Sequence, residues 1–365
     1  MHLYVHVPFC ARRCSYCDFS IAVRRSVPHQ RFVDAILAEW RARPATRLPV
    51  ALQTLYFGGG TPSRLSPAAL GALIRSVTAE APLAMGAEVT LEVNPDDVTP
   101  DAVATWVAAG VNRASLGVQS HDPGVLAWMH RTHAAEQVAP AMAMLRDGGI
   151  GNISVDLIFG LPPEIDRDWD RDVAHTIELA PTHVSLYGLT TEPRTPLARW
   201  RERGSVTAIP DDVYAAQYLA VHHALRACGY EHYEVSNAAL PGRRSRHNSV
   251  YWSGADYVGL GPSAHSLHGA TRSWNIRAWE AYAVAIEAGQ PVREGFEMLG
   301  PRELALESAY LGLRTDTGLD RARIGASMLR HWVEAGWAEE SGDRVRLRAE
   351  GWLRLDALVA SLGDF

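Results

Sequence analysis

The first half of the chain alternates between two hydrophobic periods. Short runs rich in Val, Ile, Leu and Tyr read as strands near 2–7, 52–57, 87–93, 112–118, 151–158 and 182–188. Between them apolar residues recur every three to four positions, which predicts helices at 29–43, 66–80, 100–109, 122–130, 134–147 and 167–179. Strand and helix in turn is the layout of parallel strands joined by crossover helices. Six such units are too few to close an ordinary eight-fold barrel. Whatever the closure, residues that touch a ligand are expected at the C-terminal ends of the strands.

Beyond residue 200 the pattern shifts. Pro210-Asp211-Asp212 starts a helix that ends near Cys228-Gly229, and Cys228 follows apolar neighbours and reads as a buried hydrophobe. Tyr230 to Val235 reads as a strand, and Pro241 to Arg246 as a polar, mobile loop leading to His247 on an irregular segment. From residue 300 the order is helix (301–313), helix (319–326), helix (328–335), hairpin (337–341 and 344–348) and helix (350–361), which resembles a winged helix. Arg344, Arg346 and Arg348 alternate along the second hairpin strand beside Glu339, Glu340 and Asp343, so a solvated strand face is expected there rather than DNA contact. The expected division is a core at 1–200, an accessory region at 201–298 and a C-terminal subdomain at 299–365 that caps the core or docks a partner.

Composition narrows the function. A chain of 365 residues that is 47% hydrophobic can fill the cores of one large and one smaller domain. The net charge of −6 argues against a nucleic-acid partner. All 35 basic residues are arginine, so no lysine is present for Schiff-base chemistry. No apolar run is long enough to span a membrane, and the N-terminal residues lack the pattern of a secretory signal, so a cytoplasmic protein is expected.

The chemistry is concentrated in Cys10-Ala-Arg-Arg-Cys14-Ser-Tyr16-Cys17-Asp-Phe19, where three of the four cysteines fall within eight residues. Three thiolates offered to a cubane of four irons leave one iron open to a small molecule. A structural zinc site with His6 as fourth ligand is the competing reading. The later strands also end in polar groups. Gly58-Gly59-Gly60-Thr61-Pro62 lets backbone amides approach a ligand, and Thr61 also suits a capping position. Glu92 and Asn94 end the third strand, Gln119 the fourth, and Arg131 follows on a helical stretch. Asp156 lies inside an apolar strand and needs either a ligand or an internal partner, for which Arg131 is available.

The order Cys-x3-Cys-x2-Cys after an opening strand resembles the signature of the radical S-adenosylmethionine (SAM) superfamily. That resemblance implies a partial (β/α)6 barrel, a [4Fe-4S] cluster on Cys10, Cys14 and Cys17, and SAM chelated by the fourth iron and cleaved to a 5′-deoxyadenosyl radical. Over residues 2 to 200 the motifs look most like the branch that contains the oxygen-independent coproporphyrinogen III oxidases and the HemW-type haem chaperones. By motif match, Tyr4, Gly59, Gly60, Thr61, Glu92, Gln119, Arg131 and Asp156 are expected to contact SAM, with Tyr16 beside the cluster and Gly188 a looser match. His247-Asn248-Ser249-Val250-Tyr251-Trp252 fits the His-Asn-x-x-Tyr-Trp pattern of the chaperones. It implies His247 as a haem iron ligand with Tyr251 and Trp252 packed on the porphyrin, and His265 in reserve.

Two functions follow from the resemblance, a decarboxylating oxidase and a haem chaperone. The oxidases carry a fourth cysteine where this chain has Phe19, and an N-terminal extension that this sequence lacks before Cys10. No arginine cluster precedes the barrel to receive the four carboxylates of a porphyrinogen. A radical SAM methyltransferase would call for an extra cysteine or a cobalamin module, and neither is seen. The expectation is therefore a haem chaperone, monomeric or dimeric, that holds cluster, SAM and haem and retains SAM cleavage only as a gate or side reaction. It would draw electrons from a flavodoxin or ferredoxin, pass haem to an acceptor protein and bind no nucleic acid.

Overall fold

A computed structural model describes residues 1–43 and 51–363. Six strands, β1 (His2–Val7), β2 (Leu52–Gly59), β3 (Leu83–Val93), β4 (Arg113–Gln119), β5 (Asn152–Phe159) and β6 (His183–Gly188), lie side by side in chain order. All are parallel, with α1 (His29–Ala42), α2 (Pro67–Glu80), α3 (Pro100–Ala108), α4 (Pro123–Trp128), α5 (Val138–Asp147) and α6 (Trp169–Glu178) between them. The expected βα alternation is thus present, with boundaries displaced by a few residues where caps decide them. Ser66, Thr99, Asp122 and Asp168 each accept a hydrogen bond from a backbone N–H of the first turn and fix where α2, α3, α4 and α6 begin.

Period-two alternation sorts the strand residues onto two different faces. Leu3, Val5, Leu55, Phe57, Val89, Leu91, Ala114, Leu116, Val155 and Leu157 belong to one continuous apolar core. The alternate positions are polar: Thr54 and Tyr56, Glu88, Thr90 and Glu92, Arg113 and Ser115, Ser154 and Asp156, His183 and Ser185. A buried polar face is costly unless it is hydrogen-bonded or used, so this face is where chemistry is to be sought.

The second half does not stand apart from this sheet. After α7 (Pro196–Glu202) and α8 (Asp211–Ala227), β7 (Glu231–Glu234) and β8 (Asn237–Ala239) continue the β6 edge antiparallel. After α9 (Arg246–Ser253), β9 (Val258–Leu260) pairs parallel with β1 at the opposite edge. Strands β10 (His265–His268), β11 (Thr271–Asn275) and, after α10 (Trp279–Glu287), β12 (Arg293–Met298) form a small antiparallel sheet. The carboxylate of Glu39, 2% exposed, ties α1 to this region by accepting from the Gly261 N–H (2.8 Å), Tyr282 hydroxyl (2.7 Å) and Asn275 amide (2.7 Å).

The C-terminal part has winged-helix order: α11 (Pro301–Arg314), β13 (Leu319–Asp320), α12 (Ala326–Glu334), the hairpin β14 (Ala338–Ser341) and β15 (Arg344–Leu347), then α13 (Ala349–Trp352) and α14 (Leu355–Ser361). Four expectations are corrected. The helix expected at 319–326 is β13 followed by a single 3₁₀ turn, because Asp320 caps that turn and Gly325 interrupts it. The last helix is two, broken near Leu353 and Arg354. Cys228 is exposed, because it is the C-terminal cap of α8, where the helix is already turning away from the core. His247 is helical, since the hydroxyl of Ser245 accepts from the Asn248 N–H and starts α9 there.

Candidate functional site

The strand C-terminal ends and the loop after β1 enclose a cavity of 460 Å³. Cys10, Cys14, Cys17 and Tyr16 line one side. Gly59, Gly60, Thr61 and Glu92 line the next, and Gln119, Arg131, Asp156 and Gly188 the rest. Of the residues expected to contact SAM, Tyr4 alone is not in this lining. It stacks on Tyr56 and His247 instead, with its hydroxyl 3.2 Å from Nδ1 of His6.

The loop 11–20 is irregular, so its position comes from anchors at both sides. Its Ser15 N–H donates to Met129 O (3.1 Å), and Ser15 O accepts from the Leu197 N–H (2.9 Å). Thr61 leaves the turn after β2 uncapped and points its hydroxyl at Cys10 Sγ (3.4 Å). Arg131 is not the partner of Asp156. Its guanidinium reaches Cys14 Sγ (3.7 Å), Asn94 Oδ1 (2.8 Å) and Gly117 O (2.7 Å), while its Nε is buried without a partner. Asp156 is held by the hydroxyls of Ser115 (3.1 Å) and Ser154 (3.2 Å); burial raises its pKa, and those hydrogen bonds oppose the rise. A bulge at the end of β4 puts Gln119 in the left-handed region (φ 68°) and turns it into the cavity.

Glu92 accepts from the Tyr56 hydroxyl (2.9 Å) and the Gly59 N–H (3.0 Å). Burial, aided by the charge of Asp156, pushes its carboxyl up to about 7 against the pull of those two donors. Three lining glycines are required sterically, among them Gly60, where a Cβ would meet the Pro8 backbone at 2.7 Å. Gly59 has φ +114°, and a Cβ there would meet the His6 ring at 2.6 Å; at Gly188 a Cβ would meet the Tyr214 hydroxyl at 1.9 Å.

The donor set discriminates between the two metal readings. His6 is not placed as a fourth zinc ligand: Nε2 bonds Ser20 O (2.9 Å), Nδ1 lies 3.2 Å from the Tyr4 hydroxyl, and the residue is outside the lining that the three cysteines share. Among the described residues no three His, Cys, Asp or Glu side chains group about one ion. Three cysteines that line one cavity without converging suit a cluster several ångströms wide rather than a single metal. The unpartnered Arg131 Nε adds a donor for a ligand carboxylate in the same cavity.

His247 lies elsewhere, 1% exposed on the inward side of α9. Its Nδ1 is 2.7 Å from the Thr54 hydroxyl and its Nε2 2.9 Å from the Tyr251 hydroxyl, while its ring stacks on Tyr56 at 4.9 Å. Burial holds its pKa down at about 3, so the ring is neutral. Tyr251 and Trp252 line a second cavity, of 880 Å³, with Tyr233, Tyr257 and residues of the C-terminal subdomain. The Arg314 guanidinium lies 4.1 Å from the Trp252 ring. His265 is outside this lining, stacked on Trp274 at 5.9 Å. A buried string of hydrogen bonds runs from one cavity to the other: Asp156 to Ser154 (3.2 Å), Ser154 to His183 (2.8 Å), His183 to Tyr233 (2.8 Å).

Sequence reasoning missed Ser115, Ser154 and His183, although their polar alternation in β4 to β6 marks the inner face. It also missed the C-terminal residues that line the second cavity, which no local pattern brings to α9.

Residues 4–175 match the model of the radical SAM superfamily. The chain is 40% identical to the haem chaperone HemW of Mycobacterium tuberculosis H37Rv, with 99% of this chain and 94% of that protein covered. It is 37% identical to the mitochondrial radical S-adenosyl methionine domain-containing protein 1 of Mus musculus, covering 97% of this chain and 82% of the relative. Among solved structures, coproporphyrinogen III oxidase (HemN) from Escherichia coli superposes with a TM-score of 0.83 at 21% identity, over 99% of this chain and 89% of that one, a likeness of fold. The chain belongs to the radical SAM superfamily and, within it, to the HemW family.

Proposed function

We propose that the protein is a cytoplasmic haem chaperone that carries a SAM-ligated [4Fe-4S] cluster, binds haem at the second cavity and passes it to an acceptor protein. The observation that carries this reading is near-full-length identity of 40% to a haem chaperone. The aromatic cavity beside the His-Asn-x-x-Tyr-Trp segment supports it.

Cys10, Cys14 and Cys17 would hold three irons of the cluster, which when bound supplies an electron to SAM from a flavodoxin or ferredoxin. Gly59 and Gly60 let backbone approach SAM, and Glu92, where ionised, attracts its ammonium or accepts from its ribose. Arg131 offers Nε to the SAM carboxylate, and Gln119 and Asp156 complete the polar lining. Tyr16 packs against Val125 and Met129 and closes the cavity against water. At the second cavity Tyr251 and Trp252 would pack on the macrocycle. His247 would bind the iron through Nε2 once Tyr251 turns aside.

The test is anaerobic incubation of the reconstituted protein with SAM, reductant and coproporphyrinogen III, beside a haem titration. Stoichiometric haem binding without protoporphyrinogen supports the chaperone. Protoporphyrinogen formed with multiple turnovers would make the protein an oxidase.

A further inference from the structure

The second cavity joins two parts of the chain far apart in sequence. One wall comes from Tyr251, Trp252 and Tyr257, the other from α11, β13 and β15 through Leu304, Leu311, Leu319 and Arg344. Its 880 Å³ lies within the range of about 300–1,000 Å³ usual for small-molecule sites. An aromatic and leucine lining suits a flat apolar body.

Its charges decide what else the ligand carries. Arg244 is bound to Asp316 (2.7 Å) and Glu231 (3.0 Å), and Arg272 to Glu297 (3.0 Å) and Glu307. Asp320 accepts from the Ala322 N–H (2.9 Å), and Arg323 donates to Ala305 O (2.6 Å) and Ser308 (3.2 Å). Arg344 differs: among the described residues its side chain has no hydrogen bond or ion pair, although it is only partly exposed and pairs across strands with Asp320. A second unpartnered donor, the buried indole N–H of Trp252, belongs to the same lining. A guanidinium on the lining of a cavity whose other arginines are already paired or hydrogen-bonded, with its own donors unused, is an anion site, and its planar fork fits a carboxylate.

We propose that the C-terminal subdomain receives the ligand's carboxylates, with Arg344 as the anchor for a haem propionate while Tyr251 and Trp252 take the macrocycle. The proposal rests on the haem reading above and deepens it. It changes residues 301–347 from a cap on the core into half of the binding site.

The test titrates full-length, cluster-loaded protein with haemin and with haemin dimethyl ester, which keeps the macrocycle and removes both charges, following the Soret band. Haemin is expected to bind about tenfold or more tighter than the diester, the worth of one charge-assisted hydrogen bond. Arg344→Ala should lose about that factor for haemin and nothing for the diester, and Arg344→Lys should restore part of it. Unchanged cluster absorbance and thermal midpoint would show that the variants are folded. Equal binding of haemin and diester by the unaltered protein, or an equal loss of both in Arg344→Ala, would overturn the anchor while leaving haem binding intact. Failure of the unaltered protein to bind either would instead remove the haem reading, and the anchor with it.

Discussion

Nε2 of His247 and the hydroxyl of Tyr251 lie 2.9 Å apart, one helical turn from each other on α9, so the tyrosine that lines the second cavity also occupies the nitrogen proposed to bind iron. Iron can reach His247 only after that bond breaks. Tyr251→Phe removes the competing hydroxyl and should speed haem uptake while leaving the final absorbance spectrum unchanged. His247→Ala should weaken haem binding and change the spectrum, with the cluster intact. Stopped-flow absorbance separates the two. Unchanged affinity and spectrum in His247→Ala would defeat the ligand assignment.

Serine at Cys10, Cys14 or Cys17 should abolish the brown cluster absorbance without unfolding the protein. The loop that carries these thiols is anchored through Ser15 to Met129 and Leu197, and the core lies in the sheet and helices. Iron content and far-UV circular dichroism measured on the same samples check this.

Glu92 sets a pH dependence. Its carboxyl is pushed up to about 7 by burial, so below that pH it is neutral and has no charge to offer a cationic ligand. SAM affinity should therefore rise between about pH 6 and 8 and then level off. The stability of the ligand-free protein moves the other way. The unfolded carboxyl ionises near 4.5 and the folded one resists, so the contribution is complete below 4.5 and is lost as pH rises through 7. Glu92→Gln should flatten both profiles, measured by equilibrium SAM binding and by thermal unfolding.

Asp172 holds the end of β4. It accepts from the Ser120 hydroxyl (2.6 Å), the His121 N–H (2.9 Å) and Arg167 Nε (2.8 Å), and the Arg167 and Asp172 side chains are each only 4% exposed. Asp172→Ala strands a buried guanidinium, and should cost about 3–5 kcal/mol in denaturant unfolding. The same change should loosen Gln119 and weaken SAM binding in whatever protein stays folded.

Much of this architecture was legible because hydrophobic period and capping chemistry are local. The alternation of Leu3, Val5 and Val7 with His2, Tyr4 and His6 is enough to place β1 and its two faces. The cysteine trio stood out by its spacing, whereas the glycines, Glu92, Gln119 and Arg131 were legible as one site only through the resemblance to the radical SAM superfamily, and the fold brings them to one cavity. What sequence did not show depends on contacts between distant segments. Tyr4 matches a SAM-contacting motif but is drawn into a stack with Tyr56 and His247. Asp156 takes the hydroxyls of Ser115 on the neighbouring strand and of Ser154 on its own in place of Arg131, whose reach is used on Cys14 and Asn94. Arg344 read as one of three arginines on a solvated strand, and only the packing of the C-terminal subdomain against α9 brings it to a cavity.

The central claim is that three N-terminal thiolates leave one iron of a cubane for SAM. Mössbauer and electron paramagnetic resonance spectra of anaerobically reconstituted protein, recorded before and after SAM is added, test it most directly. The account predicts a [4Fe-4S] cluster with one distinct iron whose signal moves when SAM binds. A tetrahedral zinc, or a cluster whose four irons ignore SAM, would contradict it.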